Sequence, residues 1–325
     1  MADRWRVLLA ERVEEAIDQI GSIPGVRGIV VGGSVGRGEP WPLSDIDLLP
    51  IRAPDADAEI ARCQARLVDW WAASARAQTL DVGWLAFTPA EVEAATREGI
   101  DGAAARMADP RWLHGTDKAF GGYGAHDPDG LAAAFARWAT SIRFDPRVCR
   151  ARRDYWQRCV RTGHAAAVQH RRAGDRRAAT LAMREAACTL RLVLVEEWGE
   201  RLGSMGREWT RFERMAALQA AGDVADRLAW IAAADAASSV RYLPQLPAWL
   251  LERIDRALEA RHLVGEDVNP ERNARDQIAA FRIHVVRHQP HLAGAWLALP
   301  DPELDAKLIE LERLMRDLDR SQHTG

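Results

Sequence analysis

Apolar and polar positions follow two different rhythms along this chain of 325 residues. Up to residue 125, short β-branched runs interleave with stretches of helical spacing. The pattern predicts a helix over 3–20, strands over 27–32 and 45–50, a helix over 56–76 and a strand over 78–87. Arg111-Trp112-Leu113-His114-Gly115 adds a short further strand, and the glycine-rich stretch 121–130 reads as a loop or linker. Beyond it Ala, Leu, Arg and Glu recur with helical periodicity. Helices are expected over 129–141, 147–173, 175–199, 207–220, 223–236, 247–262, 271–287 and 302–320, with Asp175 capping the second of the two long ones. The expected fold class is α+β: a small mixed-sheet domain over 1–125, then an α-helical bundle domain over 126–325, with ligand in the cleft between them.

The junction of the first two strands carries the chemistry. Gly28-Ile29-Val30-Val31 stops at Gly32-Gly33, where glycine permits unusual dihedrals and close backbone approach. Ser34 follows at a position where a helix can begin, so its hydroxyl and the first N–H groups are candidates to bind phosphate oxygens. After Glu39-Pro40-Trp41-Pro42, the segment Asp45-Ile46-Asp47-Leu48 alternates polar and apolar. On a strand, Asp45 and Asp47 then share one face while Ile46 and Leu48 enter the core. A divalent cation relieves the repulsion of such a pair, and magnesium suits its oxygen ligands. Other glycine-rich motifs fail on spacing. Glu39 and Pro40 stand where a Walker A loop has Lys and Ser/Thr, and Gly36-Arg37-Gly38 lacks the third glycine of a dinucleotide fingerprint. The plain alternative is a strand-turn-strand with two exposed aspartates.

Composition narrows the class. No apolar run approaches the roughly 20 residues needed to span a bilayer, and no basic-then-apolar leader opens the chain, so a cytoplasmic enzyme without a membrane partner is expected. Cys63, Cys149, Cys159 and Cys188 are scattered, which fits free thiols rather than a zinc site. The net charge of −3 argues against a polymeric nucleic acid as substrate, and only a local basic groove leaves that open. Lysine occurs only at Lys118 and Lys307 against abundant arginine, a bias that by itself says little about ligands. His284, His288 and His291 have metal-like spacing, but Pro290 ends their helix before the third, so a structural or surface role is expected.

The segment Gly33-Ser34-Val35-Gly36-Arg37-Gly38-Glu39, followed by Ser44-Asp45-Ile46-Asp47-Leu48, resembles the signature of the polymerase-β-type nucleotidyltransferase superfamily. Within it, the chain is similar to the bacterial aminoglycoside-type nucleotidyltransferases. The motif covers only the N-terminal third. The resemblance implies that the mixed-sheet domain is a nucleotidyltransferase domain, with Gly33, Ser34, Arg37 and Ser44 as nucleotide-binding candidates. It implies two Mg2+ ions on Asp45 and Asp47, with a third carboxylate from a later strand. Asp81, in the strand-like run Thr79–Phe87, is the candidate for that place, as metal ligand or as base for the incoming hydroxyl. The reaction implied moves a nucleoside monophosphate, AMP from ATP by the family's habit, onto a hydroxyl of a small polar acceptor, and releases pyrophosphate. An aminoglycoside-like antibiotic is one candidate acceptor. The alternatives are a toxin-type enzyme acting on transfer RNA and a protein nucleotidylyltransferase. A monomer or a homodimer is expected.

In the second domain, helix 175–199 resembles the family's helices that close over the active site. Arg184 and Arg191 are candidates to neutralise a triphosphate, and Glu185 to bind or deprotonate the acceptor. The plain reading is a solvated charged stripe, and it covers the cluster Arg147, Arg150, Arg152, Arg153 and Arg158 too. Trp41 is expected to border the nucleotide or simply to pack its loop.

Overall fold

The computed structural model describes residues 4–73, 78–203, 206–288 and 300–321. The chain is an α+β protein with a small four-stranded mixed sheet and many helices. It divides into two compact units at Arg152/Arg153. That point lies within a long helix and later than the expected 125/126 boundary.

The first unit runs α1 (Arg4–Gly21), β1 (Val26–Val31), a one-turn helix α2 (Gly33–Gly36), β2 (Ile46–Arg52) and α3 (Asp57–Ala73). It continues through β3 (Leu80–Val82), α4 (Pro89–Arg97), α5 (Ile100–Arg106), α6 (Pro110–Ala119), β4 (Tyr123–Ala125) and α7 (Leu131–Ile142) into α8 (Pro146–Arg172). The strand order is β3-β2-β1-β4, with β1 antiparallel to β2 and β4, and β2 parallel to β3.

Helices cover both faces of the sheet, which explains why β1 reads as a near-continuous apolar run. Ile29, Val31, Ile46 and Leu48 pack with Val13, Ile20, Ile60, Leu67 and Trp71 of α1 and α3. Val30, Leu49 and Ile51 face the other way, onto Phe87, Val92, Trp112, Phe135 and Trp138. Because α7 helps to cover this second face, it belongs to the sheet's unit, and the division falls later than composition suggests.

Two expectations are corrected here. Arg111–Gly115 is not a strand but part of α6: Asp109 caps that helix by accepting the Arg111 N–H at 2.8 Å, and Pro110 begins it. The fourth strand lies instead in the stretch read as linker, where Tyr123–Ala125 pairs with β1.

Pro50 sits inside an internal strand, where its missing N–H would normally cost a ladder bond. Here the neighbouring chain is bulged before it returns to donate the Phe87 N–H to the Pro50 carbonyl at 3.0 Å. Leu48 pairs with Val82 and Ile51 with Phe87, so three steps along β2 face five along its partner. The extra residues, among them Gly83 (φ +122°), lie between these two pairings, and the strand expected over 78–87 shortens to Leu80–Val82.

The second unit is helical: α9 (Arg176–Glu197), α10 (Glu208–Leu218), α11 (Gly222–Ala232), α12 (Ala236–Tyr242), α13 (Ala248–Leu263), α14 (Pro270–His288) and α15 (Leu304–Ser321). Asp175 caps α9 as expected, accepting the Ala178 N–H at 2.9 Å. Met183, Leu190, Val193, Trp209, Phe212, Leu228 and Leu311 fill its main core. Among the described residues, no helix is long and apolar enough to cross a membrane.

Candidate active site

Strand register assembles the carboxylates. Asp47 and Asp81 are partners across the parallel β2–β3 pair, so both side chains leave the same face of the sheet. Asp45, two residues before Asp47, shares that face from the entry to β2. Asp47 is only 3 % exposed, which removes the reading of two exposed aspartates, while Asp45 and Asp81 are partly open to solvent.

The glycine turn holds Asp47 in place. The Gly32 N–H donates to the Asp47 carbonyl oxygen at 2.9 Å. Gly33 adopts φ +61°, and a Cβ built on it would stand 1.7 Å from Asp47 Oδ2. Its lack of a side chain therefore makes room for the carboxylate first, a nearer reason than the approach of a phosphate. The Ser34 and Ser44 hydroxyls lie 2.9 Å apart, and the Trp41 N–H donates to Ser44 Oγ at 2.9 Å. The two serines thus tie the turn to the loop before β2. Trp41, at 2 % exposure, packs that loop and is in no position to border a ligand. The Arg37 side chain is buried, with Nε 3.5 Å from Glu39 Oε2, and its stem lies against Gly121.

Lys118, near the end of α6, is the residue that sequence reasoning missed. Its ammonium hydrogen-bonds Asp47 Oδ1 and stands 3.9 Å from Asp45 Oδ2. Burial, and next the charge of Asp45, push the Asp47 carboxyl up to about 7 against the pull of Lys118. Burial alone would lower Lys118, but the charges of Asp47 and Asp45 outweigh it and raise this lysine above its usual range. Beside burial, which dominates at Asp47, the neighbouring carboxylates raise both groups. A single ammonium faces three carboxylates, and the group is short of positive charge.

The bulge after β3 adds an aromatic. Trp84 is 53 % exposed, its Nε1 donates to Asp81 Oδ2 at 3.4 Å, and its ring stands edge-on to His114 with centroids 5.2 Å apart. A depression of about 170 Å³, open to solvent, is lined by Asp47, Asp81, Gly83, Leu85 and Lys118. A larger one of about 250 Å³ in the helical unit has a mostly apolar lining that includes Leu190, Val193 and Met315. It brings no comparable set of carboxylates together.

The basic candidates of the helical region are engaged with protein. Arg184 pairs with Asp301 at 2.9 Å, and Arg191 lies over the Trp209 ring at 3.9 Å, both inside the second unit. Arg152 is buried and donates to the Leu113 carbonyl at 2.6 Å. Arg147 pairs with Asp101 at 3.1 Å, and Arg153 with Glu197 at 2.7 Å. These pairings engage Arg147, Arg152 and Arg153 of the cluster, while Arg150 and Arg158 are exposed on α8. Glu185 is exposed on α9 of the second unit, where its backbone carbonyl accepts the Thr189 hydroxyl at 2.9 Å. His291 and the side chains of His284 and His288 lie outside the described residues, as do residues 204 and 205.

The donor set suits a hard cation: three carboxylates on one face, beside an ammonium that already occupies a cationic position among them. Among the described residues, however, no group of three or more His, Cys, Asp or Glu side chains is placed to hold a metal ion. Neither the protein-family models nor the curated proteins compared with the chain match it.

Proposed function

We propose that the chain is a magnesium-dependent nucleotidyltransferase that moves a nucleoside monophosphate from a triphosphate onto a hydroxyl of a small polar acceptor. The observation that carries this reading is the in-register pairing of Asp47 with Asp81 on the face that Asp45 shares, against a glycine turn pressed onto the Asp47 carboxylate. The resemblance of the Gly33–Glu39 and Ser44–Leu48 segments to the polymerase-β-type superfamily points the same way.

In this reading Asp45 and Asp47 hold magnesium, and Asp81 is positioned to join them or to take the proton of the attacking hydroxyl. Magnesium bound there supplies charge stabilisation for the attacking and leaving oxygens of an in-line displacement. The turn at Gly32–Ser34 fixes the Asp47 backbone and presents its own backbone towards the triphosphate. Lys118 keeps Asp47 oriented and adds positive charge where the phosphates arrive. The acceptor oxygen displaces pyrophosphate at the α-phosphorus, and the hydroxyl proton passes to Asp81.

A small acceptor is favoured over nucleic acid by the net charge of −3 and by the pairing of Arg147, Arg152 and Arg153 of the expected basic edge within the protein. The test is a panel of aminoglycosides, nucleosides and other polyols incubated with α-labelled triphosphates and magnesium. One acceptor gaining the mass and label of a nucleoside monophosphate is expected. Transfer of label to transfer RNA or to protein, with none to any small acceptor, would favour the alternative substrates.

A further inference from the structure

Lys118 is held where it can act as a built-in cation. The α6 backbone packs against the glycine turn so closely that a Cβ on Gly32 would meet the Lys118 carbonyl oxygen at 2.5 Å. From this fixed base the ammonium reaches Asp47 Oδ1 and stands 3.9 Å from Asp45 Oδ2, in the space between the two carboxylates expected to share metal ions.

The chain uses arginine at nearly every basic position and lysine at two. Both lysines sit on buried aspartates: Lys118 on Asp47, and Lys307 on Asp301 at 2.9 Å. An ammonium is a compact point charge that approximates a metal ion, whereas a planar guanidinium does not. What remains around Lys118 also fits a single ion. Magnesium is commonly held by one or two carboxylates and completed by substrate phosphates and water, without an all-protein cage. This agrees with the lack of a three-ligand group among the described residues.

We infer that Lys118 is a resident cation of the site: its ammonium takes the place between Asp47 and Asp45 that one of two metal ions would occupy, and the site binds a single divalent ion. This inference rests on the nucleotidyl-transfer reading and corrects its count of two metals. Lys118 then sets the position of Asp47 permanently, and only the remaining ion arrives with the nucleotide.

Equilibrium dialysis against Mn2+ and an α,β-methylene nucleoside triphosphate, counting both per chain, tests it. The full-length wild-type chain should retain one nucleotide and one Mn2+. Lys118→Met, checked for folding by circular dichroism, should retain one nucleotide and two Mn2+. Two Mn2+ on the wild-type chain, or one or none on folded Lys118→Met, would overturn the inference and leave the transfer reading standing. A wild-type chain that retains no nucleotide would overturn that reading, and the inference with it. The wild-type count decides the matter even if the Met variant does not fold.

Discussion

Gly33 lies directly against the carboxylate of Asp47, so close that a Cβ on the glycine would stand 1.7 Å from Oδ2. A residue of the turn after the first strand thereby sets the place of a carboxylate on the second. Gly33→Ala adds a methyl group at a left-handed φ of +61° and drives Asp47 out of place. Misplacement of this order should lower pyrophosphate release roughly 100-fold. In a double-mutant cycle with Asp47→Asn the two losses should be far from additive, since both act on one carboxylate. Additive losses would show that Gly33 acts elsewhere, for instance on a phosphate.

Asp81 stands beside Asp47 in register and accepts a hydrogen bond from exposed Trp84 at 3.4 Å. If it takes the hydroxyl proton, Asp81→Asn should slow transfer roughly 100-fold or more while nucleotide affinity changes little. If it is chiefly a metal ligand, the same variant should raise the magnesium concentration needed for half-maximal rate, and excess magnesium should restore activity. The magnesium titration of the Asn variant separates the two outcomes. Trp84→Phe, which removes only the N–H donor and part of the ring, should reproduce a milder form of whichever defect is seen.

Glu208 supplies a pH dependence of stability in the helical unit. Part of its side chain reaches the surface, yet burial among protein atoms outweighs the attraction of Arg191 and pushes the carboxyl up to about 7. The folded chain therefore binds this proton more tightly than the unfolded chain, whose glutamate titrates near its ordinary 4.5. The contribution is fully present below that value and is lost as pH rises to about 7. With screening at a partly exposed group, it amounts to about 2 kcal/mol. Urea titrations between these pH values should show wild-type stability falling relative to Glu208→Gln, whose curve lacks the step. Parallel curves would remove Glu208 as the cause.

Asp276 and Arg261 are both fully buried and 2.8 Å apart, and Asp276 also accepts the Thr210 hydroxyl at 2.6 Å and its N–H at 3.1 Å. Arg261 also pairs with Glu266 at 2.8 Å, so removing Asp276 leaves the arginine with that partner alone and takes the acceptor from the buried Thr210 hydroxyl and N–H. Asp276→Ala should cost about 2–3 kcal/mol of stability through these lost charge-assisted hydrogen bonds, read as a lowered urea midpoint. A loss below about 1 kcal/mol would mean that Glu266 alone satisfies the buried arginine.

Much of this architecture is legible in the chain, and the reasons are local. The helices from α8 to α11 fall within a few residues of expectation because long amphipathic stretches repeat their period many times. The spacing of Asp45 and Asp47 survives intact because strand alternation alone places them. β4 is too short and too glycine-rich to announce itself, and its identity depends on β1 offering an edge. The α6 helix was hidden behind an apolar Trp112-Leu113 pair, although the cap at Asp109-Pro110 was there to be read. Lys118 left only one trace, its rarity. Its meaning comes from α6 packing against the turn, a tertiary fact that no local pattern encodes.

The central claim, that Asp45, Asp47 and Asp81 form a nucleotidyl-transfer site, is tested most directly at Asp47, the most buried of the three. The measurement is magnesium-dependent pyrophosphate release from a nucleoside triphosphate across the acceptor panel, for the wild-type chain and for Asp47→Asn and Asp45→Asn. Each substitution removes a charge at nearly constant shape. Both variants should keep their helical circular dichroism and lose release by roughly 1000-fold. Wild-type release no faster than that of folded Asp47→Asn at saturating magnesium would contradict the claim.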